Sequence, residues 1–205
     1  MSLFPIFVKL RGRLVVVVGG GEIAAGKIDG LLRAGAKVHV IAPEVNAPLG
    51  NLIARGKVEW VAREFQAHDL AGATLAIAAT SAPGINAAVY HEAEVRGILC
   101  NAVDDIENCH FYYGSIVQRG DLQIAISTNG KSPALAQRLR QELEQQFGPE
   151  YQLWLEWLGA ARELLRASEG GTESSKQMLH HLASKPMYER FVKETRKEST
   201  RQGAS

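Results

Sequence analysis

The sequence is poor in cysteine, in charge of one sign and in long hydrophobic runs. Its 205 residues include two cysteines, Cys100 and Cys109, with no CxxC spacing, so we expect no disulfide framework and a reducing, cytoplasmic location. The net charge is +1 and no basic run occurs, which argues against nucleic acid as a partner. No apolar run approaches the roughly 20 residues of a membrane span, and the N-terminus does not resemble a secretory signal, so no membrane partner is expected.

The most informative stretch that is present is LVVVVGGGEIAAGK, residues 14–27. Four valines predict a buried strand, three glycines follow, and an amphipathic helix begins directly after them. With the small residue Ala24 at the third key position, the pattern reads G-x-G-x-x-A. It is typical of a turn that binds the pyrophosphate of a dinucleotide at a helix N-terminus. The residues predicted to contact the phosphates are Gly19, Gly21, Glu22 and Ile23.

Apolar strands alternate with helical segments up to Asp105, which predicts an α/β fold with a Rossmann-type parallel sheet. A weak helix is predicted over Glu44–Arg55, interrupted early by Pro48. Beyond Asp105, two short strands flanking a Gly predict a hairpin, and Ser132-Pro133 begins a helix. We therefore expect a Rossmann domain over 1–113, a small α+β dimerisation segment over 114–149 and a helical C-terminal domain over 150–205.

The hairpin and the apolar stripe of the helix after it could pack within one chain or against a second subunit. The stripe repeats every four residues, at Leu135, Leu139, Leu143 and Phe147. Because an isolated two-stranded hairpin is marginal in water, a homodimer is favoured.

The end of the second predicted strand bears on the choice of cofactor. A dinucleotide site needs an acidic residue about 20 residues after the glycines to bind the ribose hydroxyls, and Pro43-Glu44 stands near that distance. No Arg or Lys follows directly to meet a 2′-phosphate, so NAD is predicted rather than NADP. In the alternative interpretation, Glu44 is only an acid at the start of a helix, favoured by the helix dipole.

Two further strands end at the same edge of the predicted sheet. Thr80 follows one of them and either contacts the cofactor or caps the next helix. Asn101, Asp104 and Asp105 follow the other. One of the two carboxylates could face the cofactor there and accept a proton or bind a metal, and the alternative is a turn, which Asn and Asp both favour.

No group of residues has the spacing of a preformed metal site. The pair His180-His181 is adjacent, and neighbouring side chains of a helix point about 100° apart, so one ion cannot easily take both. His110 follows Asp104 by six residues and could assist proton transfer, although an ordinary loop histidine is the simpler interpretation.

Four segments occur in one order: PIFVKLRGRLVVVVGGGEIAAGK, ATLAIAAT, NAVDD and SIVQRGDLQIAISTNGKSPALAQRLRQELE. Together they resemble the precorrin-2 dehydrogenase family, the dehydrogenase and ferrochelatase module of sirohaem synthesis. The resemblance is strong over residues 4–147 and loose over the tail. It implies a homodimer that oxidises precorrin-2, a tetrapyrrole, to sirohydrochlorin with NAD, and many members then insert ferrous iron. No methyltransferase domain follows, so the stand-alone form of the module is expected.

The resemblance also implies roles for single residues. The glycine turn matches the phosphate site, and Pro43 and Glu44 match the segment that meets the ribose. Asp104 matches the aspartate proposed as general base, which makes it the expected catalytic residue. Thr128 stands where some members have a serine that is phosphorylated, so that regulation is in doubt here. Basic residues of the central region, either substrate-binding or plain surface charge, are Arg119, Lys131, Arg138 and Arg140.

Two other classes of protein share part of this pattern. An NAD(H)-sensing regulatory domain would need the glycine turn and Glu44, but it would have no use for Asp104-Asp105 or for the STNGKSP helix start. A short-chain dehydrogenase needs a Tyr with a Lys four residues later, and none of the five tyrosines has one. The first class remains the alternative, and the second is excluded.

Overall fold

The computed structural model describes residues 3–170 and 172–202. The chain divides into two compact units. One comprises Phe4–Tyr113, and the other comprises the described residues from Gly114 onward together with Leu3. Within the part of the chain that the structure describes, no helix is both long and apolar enough to cross a membrane.

The first unit is built on a five-stranded parallel sheet. Its strands are β1 (Leu14–Val18), β2 (Lys37–Ile41), β3 (Glu59–Val61), β4 (Leu75–Ala78) and β5 (Leu99–Ala102). They lie in the order β3-β2-β1-β4-β5. Nearly every residue of β1 and β4 is buried, which explains why these strands read as unbroken apolar runs. The predicted Rossmann-type parallel sheet is confirmed.

Helices cover both faces of this sheet and enclose two cores. They are α1 (Glu22–Arg33), α2 (Ala47–Ala54) and α3 (Pro83–Arg96), with a 3-10 turn at Ala67–Leu70. Because side chains alternate along a strand, Val15 and Val17 enter the core that contains Ile28 of α1. Val16 and Val18 enter the opposite core with Val89 of α3. The four consecutive valines thus contribute side chains to the cores on both faces of the sheet.

The helix after β2 begins later than the sequence indicates. It starts at Ala47 rather than near Glu44, and Pro48 lies in its first turn instead of interrupting it. Asn46 caps this helix, since its Oδ1 accepts a hydrogen bond from the amide of Leu49 at 3.1 Å. A proline in the first turn needs no amide hydrogen, so it is compatible with a helix start. The prediction of an interrupted helix was wrong for this reason.

The second unit contains the predicted hairpin and four helices. Strands β6 (Ser115–Arg119) and β7 (Leu122–Ile126) pair antiparallel. The helices are α4 (Pro133–Gln146), α5 (Glu150–Glu169), α6 (Glu173–Leu182) and α7 (Lys185–Gln202). Ser132 caps α4, because its hydroxyl accepts a hydrogen bond from the amide of Leu135 at 3.2 Å. The further division of this unit at residue 149 stays a prediction.

Candidate active site

The turn after β1 is shaped by close backbone contact with a neighbouring strand. Gly19 has a φ of +122°, a conformation that other residues rarely adopt, and its amide donates to the carbonyl of Ile41 at 2.9 Å. A Cβ at this position would overlap the carbonyl of Ala79, just beyond β4. Gly19 is therefore required by the fold of the turn itself.

The next glycine is constrained from the other side. A Cβ on Gly20 would overlap the carbonyl oxygen of Glu44, and the carbonyl of Gly20 accepts a hydrogen bond from the amide of Asn46 at 2.9 Å. The segment after β2 thus packs directly on the turn. Gly20 is not among the predicted site residues, although the run of three glycines is a signal for it.

Gly21 differs from both, because the space beside it is open. A Cβ there would meet no atom within 4 Å, and no side chain in the described part of the chain caps the start of α1. The first amides of a helix have no partner within it, so those of Glu22 and Ile23 are available to an anion. This geometry fits the pyrophosphate of a dinucleotide, which would occupy the space that a side chain at Gly21 would fill.

Pro43 and Glu44 lie exposed just beyond β2. The backbone of Glu44 supports the turn, while its carboxylate makes no hydrogen bond or ion pair with the residues that the structure describes. The side chain is therefore available to bind a ribose hydroxyl, and its role in cofactor binding stays a prediction.

Thr80, beyond β4, is tied into its own turn. Its hydroxyl donates to Oδ1 of Asn86 at 2.8 Å and accepts from the amide of Ala82 at 3.1 Å. The buried Asn86 side chain also binds the backbone amide and carbonyl of Thr80. Asn86, which the sequence analysis missed, therefore fixes this strand end. Contact of Thr80 with the cofactor stays a prediction.

The strand register brings the candidate base to the same edge of the sheet. Val18 pairs with Ala78, and Ala78 pairs with Ala102, so the carboxyl ends of β1, β4 and β5 lie side by side at one edge of the sheet. Because β4 lies between β1 and β5, these two strands are about 10 Å apart. Asp104 follows Ala102 by two residues and therefore lies at the carboxyl edge that also carries the glycine turn.

A thiol lies at the centre of the turn that carries Asp104. The Sγ of Cys109 lies 3.1 Å from the carbonyl oxygens of both Ala102 and Asp105, to which its single proton can be donated. It also accepts from Nδ2 of Asn101 at 3.3 Å. Burial raises the pKa of Cys109, which keeps the thiol protonated as a donor. From the sequence alone, Cys109 is informative only about the redox compartment.

The other two polar residues of this region hold the turn together. Asn101 is buried, and its Nδ2 donates to the carbonyl of Phe111 at 2.8 Å. Asp105 accepts from the amide and the side chain of Asn108, at 3.3 and 2.6 Å. A substrate contact by Asn101 or Asp105 stays a prediction.

Asp104 is held differently from its neighbours. It is exposed, has a φ of +61°, and makes no hydrogen bond or close ion pair with any described residue. The left-handed conformation is tolerated by aspartate better than by most residues. Unlike the carboxylate of Asp105, which binds Asn108, that of Asp104 is thus exposed and unpaired among the described residues.

His110 is engaged in structure rather than free for proton transfer. Its Nδ1 accepts from the backbone amide of Cys100 at 3.0 Å, and its ring stacks on Tyr90 with centroids 4.8 Å apart. Because Nδ1 is an acceptor, the proton lies on Nε2, which faces Glu94 at 2.5 Å. This geometry favours the simpler interpretation of a structural histidine.

A lysine that the sequence analysis did not single out lies near Asp104. The Nζ of Lys27, on α1, stands 3.9 Å from the centroid of the Tyr113 ring. Burial lowers the pKa of Lys27, and the negative charge of Asp104 opposes that effect. Burial also raises the pKa of Tyr113 to about 12, so its hydroxyl stays neutral.

The basic residues expected to meet the substrate lie in the second unit. Arg119 donates to the carbonyls of Phe147 and Glu144 at 2.8 and 3.1 Å, and Arg140 pairs with Glu144. Arg138 is exposed and lies 3.3 Å from Glu142. These bonds stabilise the unit itself.

The loop before α4 contains Thr128 and Lys131. The Thr128 hydroxyl bonds the backbone of Ser132, and the Lys131 amide donates to the Thr128 carbonyl at 3.0 Å. Substrate binding by Lys131 or Arg138 stays a prediction. Within residues 3–170 and 172–202, no group of three or more His, Cys, Asp or Glu is placed to hold a metal ion.

The strand order, the glycine turn and the open start of α1 define a dinucleotide-binding domain of the Rossmann type. The chain belongs to the NAD(P)-binding family: a family model described as putative NAD(P)-binding matches residues 6–115. A second model, described as sirohaem biosynthesis protein central, matches residues 119–146. The predicted dinucleotide cofactor is confirmed at the level of NAD(P).

Curated relatives are similar to most of this chain. Siroheme synthase of Actinobacillus pleuropneumoniae serotype 3 is 45% identical over 149 residues, which are 73% of this chain and 31% of the relative. Siroheme synthase of Photorhabdus laumondii is 48% identical over 144 residues, 70% of this chain and 31% of the relative. The chain thus spans about a third of the length of these relatives.

A solved structure matches nearly the whole chain. The structure of SirC, precorrin-2 dehydrogenase, has a TM-score of 0.76 and 26% identity, and the match covers 95% of this chain and all of that one. The resemblance to the sirohaem-synthesis dehydrogenase family is therefore confirmed, and the fold is that of SirC.

Proposed function

We propose that this chain oxidises precorrin-2 to sirohydrochlorin with NAD, as a step of sirohaem synthesis. The observation that carries the proposal is the placement of Asp104. Its carboxylate has no partner among the described residues and lies at the sheet edge that also carries the glycine turn. A sensor domain needs the glycine turn but not this carboxylate. The similarity to siroheme synthases and to SirC supports the same reaction.

Each part of the site has a separate task in this reaction. Bound NAD supplies the acceptor for a hydride that leaves the reduced macrocycle. The amides at the start of α1 hold the pyrophosphate, and Glu44 binds the ribose hydroxyls. Asp104 accepts the proton that leaves the macrocycle, directly or through one water. The work of the protein is to position the two reactants and to receive that proton.

NAD is preferred to NADP in this proposal because of charge at the end of β2. A 2′-phosphate on the ribose would meet the exposed carboxylate of Glu44. Residues 42–46 contain no Arg or Lys to offset that repulsion. A 2′-hydroxyl, in contrast, can donate a hydrogen bond to the same carboxylate.

We infer that the chain acts as a homodimer in the cytoplasm. The second unit exposes several large apolar side chains, namely Ile116, Leu135, Leu153, Trp157 and Leu164, at 38–72% of their surface. A second copy would remove these from water. Both cysteines are free thiols, which a reducing compartment preserves. Light scattering after size-exclusion chromatography tests the dimer, and a monomeric mass contradicts it.

One anaerobic incubation tests the reaction. The chain is mixed with precorrin-2 and NAD, and the appearance of NADH and of sirohydrochlorin is followed by absorbance, with NAD omitted as the control. We expect both products in equal amounts. Titration of the chain with NAD alone provides the comparison. If NAD binds but no NADH forms with precorrin-2, the NAD(H)-sensing alternative is supported instead.

The resemblance also implies ferrous iron as a second substrate of the same chain. Ferrous iron is therefore added in a parallel incubation, together with a blank that lacks the protein. Sirohaem formed faster than in the blank supports chelation, because sirohaem and sirohydrochlorin differ in absorption. Sirohydrochlorin alone shows a dehydrogenase without chelatase activity.

A further inference from the structure

A half-buried ammonium on α1 has no role in the reaction described above. Lys27 stands one residue before the fully buried Ile28, and its Nζ lies over the Tyr113 ring at 3.9 Å. Among the described residues, no carboxylate lies within ion-pair distance of this ammonium. The arginine at the end of the same helix, Arg33, is different, because it pairs with Asp29.

The surroundings of Lys27 make an anionic partner favourable. An ammonium that has lost part of its water gains more from a counter-ion than one in open solvent. The face of an aromatic ring stabilises a cation by about 0.5–2 kcal/mol. It supplies no full negative charge and leaves the other side of the ammonium available. Asp104 is near enough for its charge to act on Lys27, but the two form no ion pair.

We propose that Lys27, held over Tyr113, binds a side-chain carboxylate of the tetrapyrrole substrate and so determines which ring carbon faces Asp104. This inference rests on the proposed dehydrogenase function. A tetrapyrrole of this class carries carboxylates around its rim, so one of them can be bound while the reacting carbon lies elsewhere on the ring. Tyr113, which keeps 41% of its surface exposed, also offers an aromatic edge to the macrocycle.

A phosphate of the cofactor has the same charge and is the competing ligand. Lys27 lies six residues beyond Gly21, a rise of about 9 Å along the helix axis. The pyrophosphate is already met by the amides at the helix start. The Lys27 ammonium is instead held by Tyr113, near the charge of Asp104. These contacts favour the substrate over the cofactor.

Three variants test the proposal: Lys27→Gln, Lys27→Arg and, as a matched control, Arg33→Gln. The control removes one positive charge from the same helix and does not touch the site. Each protein is assayed for KM and kcat with precorrin-2, for the Kd of NAD, and for thermal unfolding. We expect Lys27→Gln to raise KM for precorrin-2 at least tenfold while the Kd of NAD changes less than twofold. Lys27→Arg keeps the positive charge, so its KM for precorrin-2 should lie close to that of the wild type. Arg33→Gln should have the wild-type KM.

Other outcomes overturn the proposal in distinguishable ways. A tenfold weaker Kd for NAD with unchanged KM for precorrin-2 assigns Lys27 to the cofactor. Unchanged values of both show that Lys27 binds no anion. Should Lys27→Gln fail to fold, Tyr113→Leu is used, for which we expect a smaller rise of the same KM.

Direct binding of sirohydrochlorin to wild type and Lys27→Gln, followed by absorbance, needs no turnover. It therefore tests the anion site even if the wild type proves inactive with precorrin-2.

Discussion

The carbonyl oxygen of Glu44 occupies the place where a Cβ on Gly20 would stand. Glu44 therefore contributes to the site twice, with its backbone and with its side chain. The backbone packs against the glycine turn, whereas the carboxylate is exposed. A substitution of the Glu44 side chain leaves the backbone contact with the glycine turn intact, whereas a substitution at Gly20 disrupts that contact.

Gly20→Ala should destabilise the fold, whereas Gly21→Ala should weaken NAD binding and leave the fold intact. The methyl group at position 20 overlaps backbone, so we expect thermal unfolding at a clearly lower temperature. At position 21 the methyl group meets no atom of the described residues within 4 Å, and the backbone angle suits alanine. We expect Gly21→Ala to unfold at the wild-type temperature but to bind NAD at least tenfold more weakly. Equal NAD affinity in Gly21→Ala and wild type would contradict a pyrophosphate at this place.

Glu44→Gln should weaken the choice between the two nicotinamide cofactors. We expect the wild type to prefer NAD over NADP by more than tenfold in kcat/KM, which corresponds to about 1.4 kcal/mol. Loss of the negative charge removes the repulsion of a 2′-phosphate, so the variant should use the two cofactors nearly equally. Steady-state rates with both cofactors measure this. Equal use by the wild type would show that the Glu44 carboxylate does not select the cofactor.

Asp104→Asn should lower kcat strongly without loss of the fold. Asparagine has the same shape and tolerates a positive φ, whereas alanine at +61° is strained by about 1 kcal/mol or more. A general base contributes about 100-fold to 10,000-fold, so we expect kcat to fall at least 100-fold in both variants. NAD affinity should stay at the wild-type value. Near-normal NADH production by Asp104→Asn would exclude the assigned role.

Cys109→Ala should disturb the turn that holds Asp104, and Cys109→Ser should do so less. Alanine removes the donor and acceptor that join Asn101, Ala102 and Asp105, whereas serine keeps both functions on a shorter bond. We expect Cys109→Ala to lose about 1 kcal/mol in free energy of unfolding, measured with urea. Its kcat should also fall below that of Cys109→Ser. Wild-type kcat in Cys109→Ala would show that the thiol does not position the carboxylate.

Local patterns in the sequence are sufficient for most of the fold. Four valines before the glycines identify β1, and Ser132-Pro133 identifies the start of α4, because a strand period or a helix cap depends on residues close together in the chain. The same reasoning failed at Pro48. A proline can break a helix or stand in its first turn, and Asn46 decides between the two only through its hydrogen bond to Leu49.

The candidate site is predictable only in part, because several of its contacts join distant segments. The glycine turn and Asp104 follow from motif and resemblance. The ammonium of Lys27 over the Tyr113 ring requires α1 and the segment after β5 to meet in space, which no local pattern encodes. The role of Cys109 is not predictable from the sequence for a different reason. A single cysteine carries no spacing signal, and its function depends on three partners that only a formed turn brings together.

The glycine turn is confined on two sides, by the carbonyl of Ala79 at Gly19 and by that of Glu44 at Gly20. A loop that orders only when its ligand arrives loses about 1–2 kcal/mol of conformational entropy for each residue it fixes. Here that loss accompanies the folding of the sheet, before any nucleotide is present. Phosphate therefore meets a preorganised surface, and the affinity for the dinucleotide is determined by the contacts that form rather than reduced by the ordering of the loop.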